Sequence, residues 1–316
     1  TEVFSKIGSF IRIKAGIRKF MDQMKPNLVI LIDFPDFNLN IVARAAKKKN
    51  IKIFYYISPQ VWAWREGRVR QIKKLVDKMA VILPFEVDFY HAHGFPVHYV
   101  GHPLKDTVKT EFTRSRARLH FGLPENQTTI GLLPGSRTAE VDRLLPAMIE
   151  AAQIISKKIP GAQYILPLAD TLDEETVTTM VAKSGINVKI APGQIYDVLA
   201  CCDLALVTSG TATLETGLMG VPMIIVYKVS LFSELIARMI IRQQHIGLVN
   251  IIAGKMIAPE LLQRDANGPR IASEALAILL NDSKKQEVIT ELNNIRAKLG
   301  EPGAAGRAAK LACDML

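Results

Sequence analysis

Leu28-Val29-Ile30-Leu31-Ile32-Asp33-Phe34-Pro35-Asp36-Phe37-Asn38 is a run of five branched aliphatic residues that stops on an acidic, proline-containing turn. Such a run reads as a strand buried on both faces, the form taken by strands of parallel sheets. The pattern repeats outward from it. A helix is expected at about 39–49, a strand at 51–57, a helix near 66–77, a strand at 79–83, a helix opened by Pro84-Phe85-Glu86, and a strand at 97–100. Strands that alternate with helices imply a parallel sheet covered by helices.

The rhythm breaks at Gly101-His102-Pro103. Residues 103–128 read as a connection carrying a basic helix, Arg114–His120. A second α/β series then begins with the strand 129–133 and continues with strands at 162–166, 187–190, 204–207 and 223–227. Surface helices are expected over 271–299, and Gly303 opens a terminal helix after Pro302. The expected organisation is therefore 1–102, 103–300 and a terminal helix, 301–316.

A chain of 316 residues that is 49% hydrophobic has enough apolar material for about two domain cores. It contains no apolar run long enough to span a bilayer. Cys201, Cys202 and Cys313 have neither disulfide-framework nor zinc spacing, which suits a reducing cytosol, and adjacent Cys201 and Cys202 read as core fillers. The net charge of +10 is unevenly placed. Residues 1–80 hold 17 Lys and Arg against 6 Asp and Glu, while the remaining residues are nearly balanced. A basic face of this kind attracts nucleic acid, anionic lipid or phosphorylated substrates, or is simply a solvated surface. Phe4, Ile7, Phe10, Ile11, Ile17, Phe20 and Met21 recur at helical spacing among Lys6, Arg12, Lys14, Arg18 and Lys19. That is a basic amphipathic helix, whose apolar face packs on the sheet or meets a membrane.

Three turns have chemical content. Leu133-Pro134-Gly135-Ser136-Arg137 follows a strand and precedes a helix, so Gly135 admits a close ligand, Ser136 and helix N–H groups favour an anion, and Arg137 can pair with phosphate or with Glu140. Thr208-Ser209-Gly210-Thr211-Ala212-Thr213-Leu214-Glu215 repeats the arrangement. There Ser209, Gly210 and Thr211, small or hydroxylic residues at a strand-to-helix turn, leave backbone N–H groups open to phosphate. Glu215, one turn into the helix, suits the two hydroxyls of a ribose or merely favours the helix N-terminus. Together they suggest a nucleoside diphosphate, without a Walker lysine loop or a Gly-x-Gly-x-x-Gly fingerprint. In the first series Asp33, at a strand's carboxyl end, is the better candidate for a general base, and Asp36 for a helix cap. Both tryptophans fall in Ser58-Pro59-Gln60-Val61-Trp62-Ala63-Trp64-Arg65, which packs a loop onto the domain or lines a site. No metal-like cluster of His, Asp and Glu is present, and His102 reads as structural at a hinge.

These motifs resemble, in the same order and across essentially the whole chain, those of the lipid-A-disaccharide synthase family. They are Asp33-Phe34-Pro35-Asp36-Phe37-Asn38, Ser58 through Arg65, Leu83-Pro84-Phe85-Glu86, Gly101-His102-Pro103, Leu132 through Arg137 with Glu140, and Ser209 through Glu215. The resemblance implies two Rossmann-like α/β domains of GT-B type facing a central cleft. It implies an inverting, metal- and cofactor-independent transfer of 2,3-diacylglucosamine from UDP to the 6-hydroxyl of 2,3-diacylglucosamine 1-phosphate, giving a β-1,6 disaccharide and UDP. On that reading Asp33 is the base and Arg137 stabilises the leaving UDP. Gly135, Ser136, Ser209, Gly210, Thr211, Glu215 and Asn250 hold the donor, and Asp36, Asn38, Gln60, Trp62, Trp64 and Arg65 form the acceptor side. Trp62, Trp64 and Arg65 are expected to shape that side rather than fill a core. The expected partners are the two acyl sugars and the inner-membrane surface, reached from the cytoplasm, with no nucleic acid; a homodimer is compatible with the reading. Family members begin with a strand and a Gly-Glu-x-Ser-Gly-Asp loop, which this chain starts beyond. The first domain is therefore expected to be N-terminally incomplete and to expose apolar sheet surface. The alternatives are a relative acting on another UDP-sugar and a truncated protein that binds UDP without turnover.

Overall fold

A computed structural model describes residues 2–228 and 244–316, leaving aside the side chains of residues 2–11 and of Trp64. It divides into two units, one formed by the chain up to Lys105 with Leu299–Leu316, the other by the described residues from Asp106 to Lys298.

The first unit starts with α1 (Glu2–Met24) and β1 (Leu28–Ile32), followed by α2 (Pro35–Phe37), a wide π-type turn at Asn38–Val42 and α3 (Ala43–Lys47). Then come β2 (Lys52–Tyr56), α4 (Val61–Trp64), α5 (Val69–Leu75), β3 (Lys78–Val81), α6 (Phe85–Ala92) and β4 (His98–Tyr99). The four strands lie parallel in the order β1-β2-β3-β4, with Ile32 opposite Tyr56. One face is packed by alanines of α3 and by Val69 and Ile72 of α5. The other receives the C-terminal helix, whose Ala308 and Ala312 meet Phe54, Ala80 and Val100. Small residues on that helix let it approach the sheet closely. At β1 the covering stops: Leu31 is buried, but Ile30 and Ile32 are half exposed or more.

The second unit begins with α7 (Leu104–Thr107, its first residues belonging to the first unit) and α8 (Arg114–His120). It continues through β5 (Thr129–Leu133), α9 (Thr138–Lys158), β6 (Gln163–Leu168), α10 (Glu174–Ala182), β7 (Val188–Pro192), α11 (Ile195–Cys201), β8 (Leu204–Thr208), α12 (Thr211–Leu218) and β9 (Met223–Tyr227). After the undescribed stretch come α13 (Leu248–Ala253), β10 (Glu260–Leu262), α14 (Gly268–Leu279) and α15 (Asp282–Lys298); α16 (Ala304–Cys313) is the helix returned to the first unit. Its six parallel strands run β10-β9-β8-β5-β6-β7. The chain moves outward from β5 through β6 to β7, then crosses back to β8 on β5's other side. The carboxyl ends of β5 and β8 are thus a topological switch point, where open α/β sheets bind ligands.

Three elements depart from the sequence reading. The expected helix at 39–49 is broken by the π-type turn. The Trp loop contains a short helix, α4, and β10 is a three-residue edge strand too short to show periodicity. At the amino end of the second sheet, the helix read as basic carries a buried cation: Arg118 meets Asp203 at 2.8 Å, and Asp203 also accepts the Thr129 N–H at 3.0 Å and Lys285 at 3.0 Å. Cys201 and Cys202 are buried beside it.

Candidate functional site

At the switch point an open pocket of about 490 Å³ lies over the carboxyl ends of β5, β6, β7 and β8. The turn after β5 contributes Gly135, Ser136 and Arg137, and the turn after β8 contributes Ser209, Gly210, Thr211 and, from α12, Glu215. Turns far apart in sequence converge because β5 and β8 are neighbours in register, with Leu133 opposite Val207.

Two glycines shape the walls. Gly135 has φ +120, and a Cβ there would overlap the Glu140 side chain. Gly210 has φ +155 and ψ −160, a region open essentially to glycine alone, with empty space where a Cβ would stand. A ligand can therefore approach the start of α12, whose first N–H groups have no partner within the helix. Ser209 is committed elsewhere: its N–H donates to the Val226 carbonyl at 3.1 Å and its hydroxyl to the Ile246 carbonyl at 3.2 Å. Arg137 is largely exposed and pairs with Glu140 at 2.7 Å. Glu215 accepts the Tyr196 hydroxyl at 2.8 Å, and burial together with that carboxylate pushes the Tyr196 phenol up to about 12. Tyr196 holds one oxygen of the carboxylate, and Glu215 is among the residues lining the pocket. Asp170 and Gln194, from the turns after β6 and β7, complete the polar lining. A lone Asp, Gln or Tyr after a strand gives no signal in one sequence.

Asn250 does not line this pocket, which corrects the expectation of a donor contact. It is 0% exposed, and its amide is saturated. Its Nδ2 donates to the Ala258 carbonyl at 2.8 Å and to Glu260 at 2.7 Å, while its Oδ1 accepts the N–H groups of Ile257 at 2.8 Å and Ala258 at 3.0 Å. Glu260 in turn accepts the N–H groups of Ile246 and Gly247, each at 2.9 Å. Asn250 thus braces the segment whose Ile246 carbonyl takes the Ser209 proton.

In the first unit the residues after β1 and β2 gather at one sheet end. Asp33 and Phe34 have φ +45 and +41, and the Asp33 carbonyl accepts Asn38 Nδ2 at 2.6 Å and the Tyr55 hydroxyl at 2.7 Å. The Asp33 side chain is left exposed. Asn38 is therefore a backbone clamp rather than an open acceptor contact. Asp36 lies in the first turn of α2 without capping it, and its carboxylate receives Arg65 at 3.2 Å and also Arg68. Gln60 is exposed.

Trp62 corrects the other expectation. It is 8% exposed, with its ring edge-on to Phe85 at 4.9 Å and its indole N–H donated to Glu86 at 3.2 Å. Trp62 fills the core, because a buried indole needs an acceptor and Glu86 supplies it. The Trp64 side chain lies outside the described residues. Glu86 also accepts the N–H groups of Ile82 and Leu83, at 3.2 and 3.0 Å. Burial raises its carboxyl to about 7 against those stabilising bonds. His102 is buried, accepts the Leu104 N–H at 3.2 Å through Nδ1, and is lowered to about 4 by burial. Among the described residues no group of three or more His, Cys, Asp or Glu is placed to hold a metal ion.

With both turns placed, comparison with known proteins decides the class. The family model described as lipid-A-disaccharide synthetase matches residues 1–312. The chain belongs to that family. It is 52% identical to the lipid-A-disaccharide synthase of Syntrophus aciditrophicus over 100% of this chain and 82% of that protein. The corresponding protein of Geobacter metallireducens is 44% identical over 100% of this chain and 82% of that protein. Among solved structures, the UDP-GlcNAc 2-epimerase of Neisseria meningitidis aligns with a TM-score of 0.65 at 14% identity, covering 96% of this chain and 81% of that one. Acinetobacter baumannii MurG aligns at 0.60 and 13%, covering 96% and 78%. These distant likenesses establish the fold, two parallel-sheet α/β domains of the GT-B type.

Proposed function

We propose that the pocket at β5 and β8 binds the UDP-sugar donor and that Asp33 is the base for the acceptor hydroxyl. Membership in the family makes the chain a glycosyltransferase of lipid A disaccharide synthesis; the proposal concerns the substrates and which residues act. The donor is UDP-2,3-diacylglucosamine and the acceptor 2,3-diacylglucosamine 1-phosphate. The observation that carries the reading is the convergence of Arg137, the start of α12 and Glu215 on one pocket. Diphosphate charge meets Arg137 and the N-terminus of α12, and the ribose hydroxyls meet Glu215. As the acceptor 6-hydroxyl attacks the anomeric carbon, its proton passes to Asp33 and the sugar–phosphate C–O bond breaks. The electron pair leaves with UDP, where Arg137 offsets the growing charge once it turns from Glu140.

The membrane side of the reading is supported by α1. Ile17 and Met21 pack on the core, while Ile13, Phe20 and Met24 stand exposed, seven and four residues apart, on one helical face. They lie in the quarter of the chain that carries the excess positive charge. Such a helix lies in an anionic interface. Among the described residues no helix is long and apolar enough to cross a membrane.

The test is UDP release from the two acyl sugars. Wild type is expected to release UDP, and Asp33→Asn to slow turnover by about 100-fold or more while still binding UDP. No release by wild type, or undiminished release by Asp33→Asn, overturns the assignment.

A further inference from the structure

We propose that Tyr55 and Asn38 are positioning residues of the transfer reaction. Their hydrogen bonds to the Asp33 carbonyl hold the Asp33-Phe34 turn in left-handed backbone and so fix where the Asp33 carboxylate stands. The inference rests on Asp33 being the base, as proposed above.

Two successive non-glycine residues at positive φ are unusual, and they follow directly on a strand end. Asp tolerates this region because its short polar side chain bonds locally, but Phe does not. Nor does burial of the Phe34 ring compensate: it is 66% exposed and stacks on Phe37 at 5.7 Å. Strain of this kind persists where surrounding groups over-determine it, and such positions cluster at functional sites. Here the surrounding groups are visible. One carbonyl receives two donors, at 2.7 Å from Tyr55 and 2.6 Å from Asn38, and Asn38 also reaches the Ile32 carbonyl at 3.1 Å.

Both donors are themselves immobile. Tyr55 is fully buried on β2, directly opposite Leu31 in the strand register, so its hydroxyl stands at a fixed height beside the end of β1. Burial, and next the Asp33 charge, push its phenol far above the usual tyrosine range, so it remains a donor at any working pH. Asn38 sits at the start of the π-type turn, which brings its side chain back over residues 32 and 33. Turns of this type recur at functional sites. Without the two bonds the turn would relax toward right-handed or extended backbone and carry the carboxylate with it. A displacement of about 1 Å is enough to cost on the order of 100-fold in rate.

The experiment compares wild type, Tyr55→Phe, Asn38→Ala and Tyr55→Phe combined with Phe34→Gly, using UDP release, UDP calorimetry and thermal melting. We expect each single variant to lower kcat about tenfold or more, with KM for both sugars and UDP affinity within about twofold and melting within a few degrees. Glycine enters left-handed backbone freely. Phe34→Gly should therefore restore at least half of the Tyr55→Phe loss on a logarithmic scale, which a purely structural hydroxyl would not allow. Should Tyr55→Phe fail to fold, Asn38→Ala decides by the same criteria of kcat, KM and melting. Undiminished kcat in the single variants, or a loss that tracks unfolding and is not restored by Phe34→Gly, overturns the inference while leaving the function intact. Absence of turnover by wild type overturns the function first and this inference with it.

Discussion

Glu86→Gln should change the pH dependence of stability of the first unit. The carboxyl is 1% exposed and is raised by burial from 4.5 to about 7. Between those values the folded state holds a proton that the unfolded state has released, so stability falls as pH rises through the window. A displacement from 4.5 to about 7 corresponds to about 3 kcal/mol, at ~1.36 kcal/mol per pH unit, present at low pH and lost as pH rises past about 7. The substituted glutamine does not titrate. Its single oxygen can serve the Ile82 and Leu83 N–H groups or the Trp62 indole, but not both sides. At about pH 5 the variant should therefore be the less stable by about 1–3 kcal/mol. By about pH 8 the wild type has lost its advantage and the two should be nearly equal, or the variant ahead. Urea unfolding followed by tryptophan fluorescence reads this unit, because the chain's two tryptophans are both in the Glu86-anchored loop. The change in the gap between midpoints should be about 1–3 M. Comparing variant with wild type is essential, since His102, lowered from 6.5 to about 4 by burial, works in the opposite sense and adds stability as pH rises between those values. A gap that stays constant from about pH 5 to about pH 8 would refute the reasoning.

Two further outcomes are expected. Asn250→Ala removes four hydrogen bonds inside the second unit and should lower its stability by about 3 kcal/mol, seen in thermal melting. Lost UDP affinity at unchanged stability would instead restore Asn250 as a ligand contact. Ile13→Asp together with Phe20→Asp should weaken sedimentation with anionic phospholipid vesicles by about tenfold or more, since burying each apolar side chain contributes about 1.5–3 kcal/mol. Unchanged binding would remove α1 from the membrane reading.

The strands were legible because short, mainly apolar runs bounded by turn residues have few other uses, and β1 and β5 fall where that pattern puts them. The two anion-friendly turns were legible for a related reason: glycine and hydroxyl residues at a strand-to-helix junction carry their chemistry in the backbone, which local sequence controls. Side-chain roles were not legible in the same way. Trp62 and Asn250 stand in motifs that suggest contact with substrate, and each is saturated by other partners, Glu86 for the one and a segment seven to ten residues onward for the other. Tyr55 carries no signal in the sequence, because a tyrosine inside a strand has the pattern of a core residue and only the fold sets its hydroxyl on the Asp33 carbonyl. By itself the sequence determined the class of fold and the turns where charge can be held, through periodicity and backbone freedom that act within a few residues. Only the tertiary structure decided which polar side chains remain free for a ligand, because a hydrogen-bonding group is claimed by whatever folding brings within about 3 Å of it.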